Sequence, residues 1–437
     1  MKLSIFKYIF KVPDLRKRVL FTLFMFAIYR LGAAVPVPGV DLLAVQRLTE
    51  SGSQAGIYGL LNLFSGGALE TFSVFALGIM PYITSSIILQ LLTVVIPRLQ
   101  KLQEEGESGR KVITQWTRYI TVVLALLQST ALTYLFSRGS LTGGISLIPN
   151  YTPSRVGLIV LTMTAGTAFI MWIGELISQR GVGNGMSLII FASIVSQLPA
   201  QFGGAYQVTA GQGRVGQFVV LIVMFFLMIV GIIFVEQGQR RIPIQFAKRI
   251  RGRKVMGGQS TYIPIKVNSA GVIPVIFATS ILFFPALVAT SLPQDNSVTA
   301  AIRNWIDINL ANSQGTTWFY IFFLGILIIF FTYFYTTIQF DPVRQSDMIR
   351  RTGGFVPGVR PGISTTNYLS HIINRITLPG SIFLASVAVL PSIASAIWDI
   401  PLGFSGISIL ITVGVAIETM KQIESQLSMR NYEGFID

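Results

Sequence analysis

The sequence predicts an all-α membrane protein with ten transmembrane helices. Three observations carry that expectation. The 437-residue chain is 52% hydrophobic and 12% charged, with a mean hydropathy of +0.65, whereas a water-soluble domain carries about 25% charged residues. Long charge-free runs recur along it, each near the roughly 20 residues that cross about 30 Å of hydrocarbon. Its basic excess, 33 Lys and Arg against 18 Asp and Glu, gathers in the connections between those runs.

The first span is 19–35. It contains Arg30, whose aliphatic stem lets the charge snorkel to an interface. It ends in Pro36-Val37-Pro38-Gly39 and not in a small-residue cleavage site, so it reads as a retained helix. Next comes 57–64, an apolar stretch of about two turns between Gly56 and Ser65-Gly66-Gly67. Too short to span, it suits a re-entrant half-helix enclosed by protein or a water-filled cavity, or equally an interfacial amphipathic turn. Charge-free runs then give spans two to four at 71–97, 119–137 and 156–174. Span five, 186–200, is short and follows a Gly-rich lead-in. Spans six to ten are 215–235, 267–294, 308–340, 376–398 and 400–417.

Cytoplasmic connections carry the Lys and Arg excess. With a cytoplasmic N-terminus, every basic residue except Arg30, Arg47, Arg138, Arg155, Arg214 and Arg303 falls inside. The sixth-to-seventh loop is the most basic, with no acid between Gln237 and Asn268. Both termini are thus expected in the cytoplasm, and the chain is expected to be multi-pass.

Ten spans divide into five plus five, and duplicating a unit of odd span count inverts the second copy. Two echoes fall where such a duplication requires. Gly78-Ile79-Met80-Pro81-Tyr82-Ile83 shares a pattern with Gly271-Val272-Ile273-Pro274-Val275-Ile276, and Gly185-Met186-Ser187-Leu188-Ile189-Ile190 with Gly406-Ile407-Ser408-Ile409-Leu410-Ile411. Six-residue echoes in apolar sequence also arise by chance, so an accidental match stays open at this point.

Much chemistry is excluded. The chain has no cysteine and one histidine, His371, which removes disulfides, thiolate chemistry and a His-rich metal site. No phosphate-binding loop pattern occurs. Glu175, Glu236 and Glu418 lie at predicted cytoplasmic ends, so a mid-membrane carboxylate of the kind ion-coupled carriers keep is missing.

Several segments resemble the SecY family of protein-conducting channels. Residues 72–90, centred on Gly78-Ile79-Met80-Pro81, resemble its second-span signature, and 172–187, through Gly181-Val182-Gly183-Asn184-Gly185, resemble its second signature. Residues 62–69, 236–242 and 355–362 continue the similarity, which covers essentially the whole chain in a bacterial style.

The resemblance implies two pseudo-symmetric inverted halves. The first, 1–207, holds spans one to five and a short re-entrant plug helix at about 57–67; the second, 208–437, holds spans six to ten and large cytoplasmic loops at about 238–268 and 340–375. It implies a channel that passes unfolded secretory polypeptides across the plasma membrane and releases transmembrane segments laterally between spans two/three and seven/eight. The pore ring maps onto Ile79, Ile83, Met186, Ile190, Ile276 and Ile411, with Met186 departing from a mostly isoleucine pattern. The plug maps onto Ile57, Leu60, Leu61, Leu63, Phe64, Ser65, Gly66 and Gly67. A polar lateral-gate cluster maps onto Thr84, Gln128 and Asn268. Arg240, Arg241, Lys248, Arg249, Arg251, Arg253, Lys254 and Arg360 map onto loops that dock the ribosome or the SecA motor ATPase. Implied partners are SecE and SecG subunits, SecA, the ribosome, signal sequences and translocating polypeptides, and anionic lipids; a homodimer is left open. No cofactor and no enzymatic activity are expected. The alternative reading is a secondary transporter with inverted repeats.

Overall fold

Apolar runs become helices, and the exceptions are set by proline and glycine. The computed structural model describes residues 12–41, 43–45, 65–69, 71–137, 147–148, 151–246, 249–251, 254–256, 260–291, 297–310, 317–398 and 405–433. In chain order the helices of the first part are α1 (Pro13–Ala34), α2 (Met80–Val95), α3 (Pro97–Glu104), α4 (Glu107–Ser137), α5 (Pro153–Arg180), α6 (Gly185–Gly211) and α7 (Val215–Gln237). A group of short strands follows: β1 (Gln239–Phe246), β2 (Arg249–Arg251), β3 (Lys254–Met256) and β4 (Ser260–Lys266). The remainder is α8 (Ile273–Ser291), α9 (Ser297–Asn309), α10 (Trp318–Gln339), α11 (Pro342–Arg351), β5 (Gly354–Phe355), α12 (Ile363–Trp398) and α13 (Gly406–Glu433). Among the described residues seven helices are long and apolar enough to cross a membrane, or eight if the bent pair α2 and α3 counts as one.

Several span boundaries differ from the hydropathy expectation. Residues 71–79 are not helical. They form tight turns in which Val37 N donates to Phe72 O (2.9 Å) and Val74 N to Val35 O (2.9 Å), so this stretch zips onto the end of α1. Most of its side chains are buried, Phe72 and Ile79 at 1% exposure, which is the condition for irregular backbone at membrane depth. Pro97 holds Ile96 extended (φ −99°, ψ 111°), and α3 leaves α2 at 101°. The expected span 308–340 begins in the last two residues of the amphipathic α9, and its crossing part is α10. Helices α4 and α12 begin well before their apolar cores, at Glu107 and Ile363, because polar residues continue a helix that hydropathy alone cuts short.

The all-α expectation needs one addition. The 238–268 loop is an antiparallel hairpin of β1 and β4, extended by β5 into a three-stranded sheet of order β4-β1-β5, with β2 and β3 pairing separately at its tip. Ile242, Ile244 and Ile265 point from this sheet onto Ile349 of α11 and Leu369, Ile372 and Ile373 of α12, forming a core separate from the membrane bundle. The alternation of buried Ile with exposed Arg and Gln along β1 is the period-two signature of a half-buried strand.

The two echoes are structural as well as textual. Gly78 (φ 56°) and Gly271 (φ 65°) each take a left-handed conformation just before a helix that carries Pro in its first turn. Gly185 and Gly406 each open a helix at a backbone contact that leaves no room for a side chain: a Cβ there would lie 1.9 Å from Gly174 O or 2.0 Å from Val387 O. A third pair was invisible in the sequence. A Cβ on Gly166 of α5 would meet Val74 O at 2.0 Å, and one on Gly380 of α12 would meet Val267 O at 2.6 Å; Val74 precedes Gly78 by the same interval as Val267 precedes Gly271.

Gly166→Ala is therefore expected to strain α5 against the 71–79 turns by about 1–3 kcal/mol, the usual cost of overpacking. Thermal unfolding in detergent should show a transition lowered by several degrees. Gly157→Ala on the same helix, where a Cβ meets nothing within 4 Å, should leave it unchanged.

Candidate functional site: an apolar waist and a latched segment

The largest hydrophobic cluster joins residues from α1, α2, α5, α6, α7, α8, α10, α12 and α13. All six positions of the expected ring fall in it. Ile79, Met186, Ile190, Ile276 and Ile411 are buried members, and Ile83 packs against them half-buried. Ile79 is the residue that caps the start of α2, and Ile83 stands one turn further on, bonded back to it (Ile83 N to Ile79 O, 3.1 Å). Met186 and Ile190 occupy the first turns of α6, which Asn184 begins by accepting from Met186 N (3.1 Å). Ile276 is in the first turn of α8 and Ile411 in the second turn of α13. Thus four helices present their starts to one apolar region, and the paired glycines aim them there. Met186 is held more firmly than a free gap-filler: its Sδ lies where a side chain on Gly174 would be.

Directly beyond Ile190 on α6, at steps of three residues, come Ser193 and Ser196, which helical geometry places on the same face about 4.5 Å apart along the axis. They hold the end of the expected plug. Tyr29 of α1 donates to Ser65 O (3.0 Å) and shares a hydrogen bond with Ser193 Oγ (2.7 Å). Arg30 Nη1 donates to Gly66 O (2.8 Å) and to Ser196 Oγ (3.0 Å). Gly66 has φ 69°, and a Cβ on it would come within 2.9 Å of both Ser193 Cβ and Tyr29 OH. Arg30 therefore does not simply snorkel, as its place in span one suggests; it fastens a neighbouring segment. The plug positions Ile57, Leu60, Leu61, Leu63 and Phe64 lie outside the described residues, and Ser65, Gly66 and Gly67 are within them.

The expected gate cluster is not joined. Thr84 Oγ1 bonds back to Met80 O (2.9 Å) within its own helix. Asn268, 3% exposed, turns its amide nitrogen to Glu236 Oε1 (2.6 Å) on α7 and Gly271 O (3.1 Å). Gln128 is half-buried on α4, and among the described residues no hydrogen bond connects the three. On one side of that seam α2 packs on α4, and on the other α8 packs on α10.

On the sheet side, Arg240 and Arg241 are exposed on β1, and the Arg241 guanidinium stacks over the Tyr262 ring at 4.9 Å. Strand β5 leads into a turn pinned by buried Val356 and by Ser346 Oγ donating to Gly362 O (3.0 Å); Arg360 is exposed at this turn. Backbone pairing places Arg249, Arg251 and Lys254 in the β2–β3 hairpin, while Lys248 and Arg253 lie outside the described residues. Among the described residues, two ion pairs between helices escaped the sequence reading. Arg118 binds both Glu175 oxygens (2.6 and 2.7 Å), and Arg344 reaches Glu104 (3.0 Å), linking α11 to α3. Arg118 and Glu175 each looked like an ordinary end-of-span charge, and only their meeting distinguishes them.

A bundle of membrane-length helices whose paired starts converge on an apolar centre has the architecture of a polytopic channel. Comparison agrees. A family model described as SecY matches residues 73–420. The protein translocase subunit SecY of Streptomyces scabiei is 49% identical over 99% of this chain and 100% of its own length, and that of Mycobacterium bovis is 47% identical with the same coverage. A solved protein-conducting channel superposes with a TM-score of 0.62 at 17% identity, over 94% of this chain and 92% of that one. Sec61 from a canine ribosome–channel complex superposes with a TM-score of 0.59 at 16% identity, with the same coverage. The chain belongs to the SecY family.

Proposed function

We propose that this chain is the pore subunit of a bacterial protein translocase, conducting unfolded polypeptides across the plasma membrane and releasing apolar segments sideways into lipid. The observation that carries the reading is that Ile79, Ile83, Met186, Ile190, Ile276 and Ile411, at the starts of four helices, all belong to or pack against one apolar cluster. A narrow waist of such side chains dewets and so blocks ions and water. Aliphatic groups make no directional bonds, so an extended chain of any sequence slides past without stalling.

The remaining assignments follow from that waist. The segment at about 57–67 is the plug, and the latch at Tyr29, Arg30, Ser193 and Ser196 supports a resting position beyond Ile190. The paired glycine contacts support ten spans in two inverted halves, 1–207 and 208–437, with α1 and α8 as the two spans that length and hydropathy leave out. Lateral exit lies between α2/α4 and α8/α10, where Thr84, Gln128 and Asn268 flank the seam without bonding to one another. Arg240, Arg241, Arg360 and the basic hairpin, with Lys248 and Arg253, form a docking face for the phosphates of a ribosome or for a motor such as SecA. Anionic lipids are a second partner, attracted by about 1 kcal/mol per basic residue near the surface. SecE and SecG subunits, signal sequences and a second copy complete the expected partners. Both termini are placed in the cytoplasm. A solute carrier is not favoured.

Proteoliposomes containing the channel, supplied with motor, ATP and a secretory precursor, test this directly: precursor should become protease-protected. Uptake of a small solute with the precursor left outside would refute the channel reading. In the same assay Arg360→Glu should lower motor-driven import about tenfold, while the chain stays folded because the exposed Arg360 holds the turn through its backbone oxygen, which accepts from Thr365 Oγ1.

A further inference from the structure

α9 joins α8 to α10 on the side of the bundle opposite the sheet, since α8 departs from β4 and α10 returns to α11 and β5. It is too short to span, and its surface is divided. Ile302, Trp305 and Ile308, three residues apart, are 47%, 52% and 64% exposed. Positions 303 and 307, Arg and Asp, fall on the other side of the 3.6-residue period. Leu310, just past the helix end, packs inward against the main cluster. The outward row is therefore not a core face that has slipped.

What covers it is indicated by its neighbour. The Trp305 ring meets Phe319 of α10 edge-on at 5.5 Å. Phe319, Trp318 and Phe322 are themselves exposed at the start of α10, one of the helices long and apolar enough to cross a membrane. Thr317 Oγ1 donates to Ile308 O (3.0 Å), fastening the end of α9 to the first turn of α10. The exposed row is thus a continuation of a lipid-facing surface at the level where that surface ends. Tryptophan, with an apolar body and a polar N–H, suits this depth.

We propose that α9 lies in the plane of the membrane interface on the far side, with Ile302, Trp305 and Ile308 inserted at the boundary between headgroups and acyl chains. Its partner is the lipid surface. It fixes the depth of the far end of α8, the helix that carries Ile276 near its other end, so any movement of α8 drags α9 along the interface.

The chain contains no cysteine, so single thiols can be placed and labelled with an environment-sensitive fluorophore in the full-length protein reconstituted in phosphatidylethanolamine/phosphatidylglycerol vesicles. Ile302→Cys and Ile308→Cys sample the apolar row, and Asp307→Cys the opposite side. Lipids brominated near the headgroup end of the acyl chain should quench the labels at 302 and 308 about twofold or more over the label at 307, which aqueous iodide should quench instead. Iodide reaching all three sites would overturn the proposal by showing the helix in water. Quenching of 302 and 308 by neither agent would overturn it by showing a protein partner over the row. Two labelled positions on the row keep the result readable if one substitution disturbs folding.

Discussion

Replacing Ile83 and Ile276 together by asparagine is expected to raise the resting ion leak by on the order of tenfold or more. A fully buried isoleucine such as Ile276 contributes about 1.5–3 kcal/mol of preference for a dry surrounding and the half-buried Ile83 a part of that, and an amide offers water both donors and an acceptor. A shift of about 1.4 kcal/mol in the balance between dry and wetted waist already gives a tenfold change in the wetted population. The two positions match in the glycine–proline echo of α2 and α8, so the pair alters corresponding places in the proposed waist. Planar-bilayer conductance of the purified channel without motor or precursor is the measurement. The control is leucine at both positions, which keeps the surface apolar and should keep the seal. Conductance unchanged in the folded asparagine variant would count against the ring.

The second large effect is expected at the latch. Arg30→Gln removes a charge-assisted hydrogen bond to Gly66 O, worth about 1.5–3 kcal/mol, and weakens the tie to Ser196. The unlatched population should rise by about tenfold or more. Gly66→Val attacks the same joint from the other partner, because its side chain collides with Ser193 and Tyr29 and its φ of 69° disfavours a branched residue. Both variants should leak ions at rest. A thiol introduced by Ser65→Cys reports the joint independently: its labelling by a membrane-impermeant maleimide from the far side should be slow in the parent and fast with Arg30→Gln. Equal labelling rates in the two backgrounds would mean that these hydrogen bonds hold nothing closed.

The site was partly legible in advance because much of it is written in short-range pattern. Ile79 and Ile83 sit beside a glycine and a proline in one turn, as does Ile276, and Ile190 and Ile411 follow the second glycine echo. The latch was not legible. An arginine in an apolar run signals some special role, but Tyr29 is 36 residues from Ser65 and 164 from Ser193, and serine is too common in helices to draw attention. Hydropathy also misread 71–79, where burial by protein imitates burial by lipid, and started the eighth span in the last residues of α9, because a charge-free run does not mark where one helix ends and the next begins.

Composition and local order already dictate the membrane as solvent, the run of apolar helices, the basic connections between them, and the glycine-marked helix starts. Those are local properties, since transfer to hydrocarbon is a sum over neighbouring residues. Only the tertiary structure decided that the six aliphatics share one cluster, that Arg30 and Tyr29 close on Gly66 and Ser65, that Asn268 turns to Glu236 and not across the seam, and that Gly166 and Gly380 repeat one another's contact. Hydrogen bonds and close backbone approaches form only between groups already brought within about 3 Å, and which groups those are is fixed by packing of segments far apart in the chain.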